Sequence, residues 1–465
     1  MRLALAASAA LVLATAATPS ANADPLADTS ALLRDKALAG SPAYPVLESL
    51  TTEIGARPAG SAAQRRAMEW GVAKLKALGF QNVHTEPFTI TAWVRGAESA
   101  EVTGANPQHL AILGLGGSVP TPAGGIEAEI ALFHTYADLL AAPPGSLKGK
   151  IAVVTEAMVR TQDGSGYGAA NPIRRSGASE AAKRGAIGYL CRSLATNENR
   201  LPHTGALDYT AGAPKIPAAA LSVVDAEQLD RMVALGRPVR VKLSLESHTV
   251  PNAQAWNVVG EVVGRDRPDQ VIVIGGHLDS WDPGTGAIDD GAGVAITVAA
   301  AKLINDLPVH PRRTLRVVMF GSEEMDGSGE AYAKAHAAEA GHIVLTGESD
   351  EGADPIWSLA LPKGAADLPA MKTLANVIAP LKIFVDRTPS RFGGSDVIGL
   401  VFQGVPVIDY HQDATRYFDI HHSADDTLDK VDRPKMDQNV AAWTALLYVV
   451  AESDVDLRPA VVAKP

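Results

Sequence analysis

With 465 residues, 46% of them hydrophobic, the chain is long enough to bury one large core and support a second domain. Its formal charge is −11, and its basic residues fall in scattered pairs such as Arg65-Arg66 and Arg174-Arg175 that read as solvated surface, which argues against nucleic acid and anionic membranes as partners. The single cysteine, Cys191, excludes an intrachain disulfide and reads as a packed thiol.

Residues 1–23 open the chain with Arg2, an Ala/Leu/Val run and a small-x-small site at Ala21-Asn22-Ala23, the pattern of a secretory signal peptide. The mature chain is therefore expected outside the cytoplasm, in the periplasm or the extracellular medium. Next, GARPAGS at residues 55–61 precedes a helical pattern through Leu75 and Leu78 and a strand-like run from Val83 to Ile90. Between about residues 93 and 252 the texture changes to short β-runs punctuated by Gly and Pro, including Gly149 to Val154 and Ile216 to Ala220. Inside that region, Ala178 to Arg184 reads as helix and Gly185 to Tyr189 as strand. From about residue 253 onward β-runs alternate with helical stretches, which predicts a doubly wound α/β sheet.

The chemistry lies in this last part. A β-branched run from Val271 ends at Gly275-Gly276, so His277 and Asp279 emerge at the carboxyl end of a buried strand, where open α/β sheets gather ligands. In this His-x-Asp pair His277 can bind a metal through one ring nitrogen, while Asp279 accepts a hydrogen bond from the other and sets the tautomer. Asp289 closes a Gly-rich loop just before an amphipathic stretch, Val294 to Leu303, and a carboxylate there can bridge two cations roughly 3.5–4 Å apart. The strand Thr314 to Phe320 leads into Glu323-Glu324, of which one can ligate while the other handles protons. The strand Ile343 to Thr346 leads to Asp350, and a late segment ends in His421-His422. Alone, each acidic residue would read as a helix cap or solvent-facing group. Together, His277, Asp289, Glu324, Asp350 and His422 balance two divalent ions, because three carboxylates plus a hydroxide offset four positive charges.

The last helical pattern carries Val440 to Ala451, well short of the ~20 apolar residues that span a bilayer, so it is assigned to the core. The sequence contains no nucleophile elbow of the GxSxG type, no phosphate loop and no CxxC pair.

GGHLDSWD, GAIDDGAG, FGSEE, ESDEG, GGSD and HHSADDTLDKVD together resemble the dizinc exopeptidase family of bacterial leucyl aminopeptidases, glutamate carboxypeptidase II and carboxypeptidase Q, with the carboxypeptidase Q pattern nearest. The resemblance implies an α/β fold, a doubly wound mixed sheet of the zinc aminopeptidase/carboxypeptidase type. It divides the mature chain into a catalytic domain at 24–92 and 253–465 and an inserted protease-associated domain at 93–252. It implies two zinc ions, one held by His277 and Asp350, the other by Glu324 and His422, with Asp289 as bridge. Glu323 takes the place of the general base, His421 that of an oxyanion hydrogen-bond donor, and Ser395 and Asp396 that of a substrate-pocket segment. The substrate is then a dipeptide or short peptide, and a homodimer is the implied assembly.

A carboxypeptidase preference is expected, with an aminopeptidase as the alternative. Arg387, Arg391 and Arg416 are candidates for a substrate carboxylate, and Asp282, Asp413 and Asp419 for an ammonium group. A glutaminyl cyclase and a non-catalytic binding protein complete the set of readings.

Overall fold

The computed structural model describes residues 24–458, so the signal-peptide reading of residues 1–23 lies outside the described part. At its centre is a five-stranded mixed sheet whose spatial order is Gln81–Val94, His248–Val262, Arg313–Phe320, Arg267–His277 and Ile343–Glu348. The last three run parallel and the first two antiparallel. Val271 to Ile274 are all buried, as a strand with both faces covered requires.

Alternate residues of these strands feed two cores. Ile272, Ile274, Val317 and Met319 pack with the helices Ala292–Asn305 and Arg433–Glu452. Val271, Val273, Val318 and Phe320 pack on the opposite side with Tyr332, Val397 and Leu400, from the helices Ser328–Ala335 and Ile398–Phe402 and the residue that precedes the latter. Helices therefore cover both faces, the doubly wound arrangement expected from the alternating pattern.

Helix Ala292–Asn305 departs from expectation. It is buried on nearly every face rather than amphipathic, because the sheet lies on one side and helices Ala43–Glu53 and Arg433–Glu452 on the others. Its first turn reaches the end of strand Ile343–Glu348 because residue 293 is glycine: a Cβ there would sit 1.7 Å from the Ser349 carbonyl oxygen. This contact brings the Asp289 loop against the strand ends.

A second, eight-stranded sheet is built from residues between Glu98 and Leu245, with the helices Ser165–Lys183 and Val223–Ala234 packed on it. The antiparallel ribbon of Gln81–Val94 and His248–Val262 leads into and out of this unit. The boundaries expected at 92/93 and 252/253 both fall within that ribbon, which belongs to the first sheet. Helix Ser165–Lys183 begins well before the expected Ala178 and carries Pro172 in its interior. Cys191 is buried, and that burial pushes its thiol up to about 12, consistent with an inert packed side chain. Among the described residues no helix is long and apolar enough to cross a membrane.

Candidate active site

Three parallel strands end at one edge of the central sheet and deliver most of the candidate residues there. His277 is the last residue of its strand and pairs in register with Phe320, so Glu323 and Glu324 follow directly beyond it. Gly275 pairs with Glu348, which places Asp350 just past the third strand end. Asp289 comes from the loop before helix Ala292–Asn305, and His421-His422 follow the short turn Tyr417–Asp419.

Asp289 lies at the centre of the cluster. Its Oδ1 is 3.1 Å from His277 Nε2, and its Oδ2 is 3.2 Å from His422 Nε2. Asp350 Oδ1 adds a carboxylate 3.6 Å from His277 Nε2, and Glu324 Oε2 adds one 3.1 Å from His422 Nε2. The donors therefore fall into two sets sharing one carboxylate, each composed of an imidazole, an unshared acid and one oxygen of Asp289. Donor atoms of His277, Asp289 and Glu324, of His277, Asp290 and Asp350, and of Asp289, His421 and His422 lie within 4.8 Å of one another in each group. All five expected metal ligands are thus brought together.

Both imidazoles are oriented by backbone carbonyls. His277 Nδ1 lies 3.1 Å from the Asp279 carbonyl oxygen, and His422 Nδ1 lies 3.2 Å from the Thr204 carbonyl oxygen. With a proton on each Nδ1, each Nε2 turns a lone pair toward carboxylates, an arrangement that calls for a cation between them. Three buried carboxylate oxygens, Asp289 Oδ2, Glu324 Oε1 and Asp350 Oδ1, accept no hydrogen bond. Unpartnered buried oxygens facing imidazole nitrogens suit a divalent metal with mixed nitrogen and oxygen ligands.

The electrostatics follow. Burial opposes the charged form of His277, but the neighbouring carboxylates of Asp279, Asp289 and Asp350 hold it well above the usual imidazole range. Burial likewise opposes His422, which Glu324 and Asp289 hold high. Burial raises Asp350 and Glu324, whereas Asp289 is held well below the usual carboxylate range, against its burial, by His277 and His422. Protons here occupy positions for which metal ions compete.

The Asp279 carboxylate does something other than expected. Its nearest approach to the His277 ring is 3.5 Å, while Oδ1 accepts a hydrogen bond from the Glu323 amide at 3.0 Å and Oδ2 one from the Glu324 amide at 3.3 Å. It holds the turn that aims the two glutamates, and it is the backbone carbonyl of Asp279 that meets the His277 ring. Sequence reasoning missed three further supports. Asp290 Oδ2 accepts from the His277 amide at 2.9 Å. Asp426 Oδ1 accepts from the Ala287 and Ile288 amides, each at 2.7 Å. The fully buried Arg57, within GARPAGS, donates to the carbonyls of Leu278, Thr285 and Gly286 and so fixes the loop between His277 and Asp289. The motif around Arg57 was a usable signal; contacts more than a hundred residues apart were not.

Glu323, Glu324, Asp289, Asp350, Ser395, His421 and His422 line a cavity of about 290 Å³. Burial, together with the carboxylates of Asp350, Glu324 and Asp396, lifts Glu323 well above the usual range. His421 stacks on His422 with ring centroids 3.5 Å apart, its Nδ1 has no partner, and burial pushes it well below the imidazole range, so it is neutral. Asp396 is buried with Oδ1 accepting from the Ser328 hydroxyl at 2.5 Å and its amide donating to Glu348 Oε2 at 2.9 Å; it braces the loop that carries Ser395.

The rest of the cavity lining corrects one reading of the sequence. Arg174, expected at the solvated surface, is 4% exposed and lines this cavity with Arg175, Asn171 and Tyr167. The basic candidates named for a substrate carboxylate lie elsewhere: Arg387 and Arg391 are exposed and outside the cavity lining, and Arg416 borders a neighbouring cavity. Of the acidic candidates for an ammonium group, Asp282 pairs with Arg95 at 2.7 Å and Asp419 with Arg160 at 2.6 Å, while Asp413 accepts hydrogen bonds from the Thr415 amide and Gln162.

Known proteins agree with this architecture. The sequence pattern of Peptidase family M28 matches residues 257–447, a span that contains all five clustered ligand candidates. Carboxypeptidase Q from Bos taurus is 37% identical over 410 residues, covering 88% of this chain and 85% of that protein. A probable leucine aminopeptidase 2 from Aspergillus fumigatus is 25% identical over 75% of this chain and 66% of its own length. The crystal structure of a peptidase M28 precursor from Shewanella amazonensis superposes with a TM-score of 0.91 at 42% identity, covering 94% of this chain and 99% of that one. A zinc aminopeptidase from Bacillus subtilis shares the fold, with a TM-score of 0.64 at 17% identity over 90% and 98% of the two chains. Sheet order, the strand-end cluster and these matches lead to one conclusion: the chain belongs to peptidase family M28.

Proposed function

We propose that the protein is a dinuclear zinc exopeptidase that hydrolyses dipeptides or short peptides and prefers a free C-terminal residue. The single observation that carries the metal assignment is Asp289, whose two oxygens face two different imidazoles, each with its own second carboxylate. In this reading His277 and Asp350 hold one zinc ion, Glu324 and His422 hold the other, and Asp289 bridges them. When bound, the two ions polarise the scissile carbonyl and bring the pKa of an attacking water toward neutrality.

The chain's own residues do the rest. Glu323 takes a proton from the attacking water and gives it to the leaving amine, a role worth typically about 10²–10⁴-fold. Its raised pKa in the metal-free cluster falls once cations neutralise the surrounding carboxylates, which leaves it ionised and basic. His421, neutral and lining the cavity, donates an N–H to the oxyanion. Ser395, in the cavity lining, contacts the substrate, with Asp396 behind it.

The carboxypeptidase preference is supported by relatives named carboxypeptidase Q, which match more of the chain at higher identity than those named leucine aminopeptidase. An aminopeptidase is the second reading, favoured by the fold shared with the zinc aminopeptidase of Bacillus subtilis. The unit around the eight-stranded sheet is assigned as the protease-associated insertion, and residues 1–23 as an export signal.

The test is a panel of dipeptides with free, N-blocked and C-blocked ends, given to zinc-loaded protein whose metal content has been measured. Two zinc ions per chain, with cleavage that survives N-blocking and is strongly slowed by C-blocking, is the expected result. The opposite blocking pattern makes the protein an aminopeptidase, and one zinc per active chain removes the dinuclear mechanism.

A further inference from the structure

Arg174 differs from the other deeply buried arginines. Arg57 donates to several backbone carbonyls, and Arg313 donates to Gln270 and to the Val450 carbonyl. Arg174 is 4% exposed and has no carboxylate within ion-pair distance among the described residues. Its Nε donates to the Ala206 carbonyl at 3.1 Å and its Nη1 to the Tyr167 hydroxyl at 2.5 Å. A guanidinium carries five N–H donors, so most remain without a protein acceptor. Nη2 makes no hydrogen bond among the described residues, yet it is absent from the fully buried unpartnered atoms. Its open side belongs to a residue lining the active-site cavity.

The guanidinium is also firmly held. It lies 5.3 Å from the Tyr167 ring centroid, and Tyr167 stacks on Phe418 at 4.7 Å and meets the edge of His421 at 5.0 Å. Residue 205 is glycine, and a Cβ there would come within 2.2 Å of Nη1, so the backbone closes directly over the head group. The neighbouring Arg175 is neutralised by Asp208 at 3.0 Å, and Asn171 presents a buried Oδ1 without a partner. The cavity lining thus combines carboxylates and imidazoles with a firmly held guanidinium that has no acidic partner among the described residues.

We propose that Arg174 binds the free C-terminal carboxylate of the substrate and thereby sets the end from which the enzyme cleaves. This rests on the exopeptidase reading above. A planar guanidinium matches a carboxylate through paired N–H donors, and a buried arginine without an acidic partner is completed by such a ligand. The substrate class follows: peptides whose scissile bond lies one residue from a free carboxylate.

The test compares an N-acetylated dipeptide with its C-terminal amide, using zinc-loaded full-length protein. In Arg174→Gln, kcat/KM for the acid should fall roughly 10–100-fold, the scale of a lost hydrogen bond to a charged group, mainly through KM, while the amide rate stays unchanged. A zinc content and Tm equal to those of the unaltered protein report that the variant is folded. Arg174→Lys should recover part of the loss, since it keeps the charge without the fork. An equal loss on both substrates, or an unchanged acid-to-amide ratio, would overturn the proposal. Calorimetric titration with leucine and leucinamide gives a second readout that needs no turnover. If no peptide is cleaved but leucine still binds tighter than leucinamide and loses that advantage in Arg174→Gln, the exopeptidase reading fails while the carboxylate site stands. Equal binding of the two probes to the unaltered protein removes the site.

Discussion

Glu323 and Glu324 are adjacent, yet their side chains meet different neighbours. Glu324 Oε2 approaches His422 at 3.1 Å, whereas Glu323 lines the cavity with no imidazole within ion-pair distance among the described residues. Glu323→Gln should therefore lower kcat by about 10²–10⁴-fold with the metal content intact. Glu324→Gln should lose bound metal, because it removes one member of a ligand set. Steady-state kinetics beside metal analysis checks both, and loss of metal from Glu323→Gln instead would exchange the two roles. The proposed ligands could be read from sequence because most follow an apolar run or a glycine turn, so local pattern alone predicts where they emerge. The work of Asp426 and Arg57 could not, since it consists of holding backbone groups 139 and up to 229 residues away, although the motif around Arg57 marks its segment; Asp290 holds the amide of His277, 13 residues away, which no local pattern announces. Arg174 was misread for a related reason: an arginine pair in sequence carries no mark of which member the fold buries.

Strand ends place the reactive groups, and the turn into helix Ala292–Asn305 brings Asp289 to them. That turn depends on the clearance at Gly293, where a Cβ would meet the Ser349 oxygen at 1.7 Å and the Asp290 carboxylate at 2.4 Å. Gly293→Ala should push the helix from the strand end, destabilise the protein by about 1–3 kcal/mol as overpacking does, and weaken metal binding. Thermal unfolding and zinc titration of the variant measure the two effects, and an unchanged affinity would separate the helix from the site. Parallel strands and their helices were legible because their periods are regular. Helix Ser165–Lys183 was only half legible: Pro172 and several glycines interrupt its pattern, and the part missed holds Tyr167, Asn171 and Arg174. Local rules are broken where the cavity is lined, as expected of functional segments.

For the molecule as a whole, the metal-free cluster makes stability depend on pH. Burial raises Asp426 and Asp396 to about 7, and His277 and His422 are held well above their ordinary value of 6.5. All four bind more protons folded than unfolded near neutrality, so their stabilisation is present at low pH and lost as pH rises through the folded-state values. Buried His203 and His421, both pushed down, act in the opposite sense only as pH falls through the ordinary imidazole range. The Tm of chelator-treated protein should therefore fall between about pH 6.5 and pH 8, and the Tm gained on adding zinc should grow over the same interval. A flat profile would remove the proton-for-metal exchange inferred at the cluster. His422 has one more consequence. Its amide neighbourhood is clasped by the second sheet's unit, since its carbonyl accepts from the Thr204 amide at 3.0 Å and its ring leans on the Thr204 carbonyl, across 218 positions of chain. During synthesis the early half of this clasp is made long before the late half leaves the ribosome. A nascent chain carrying His277, Asp289, Glu324 and Asp350 would thus lack the imidazole of the second proposed ligand set until residue 422 has been added.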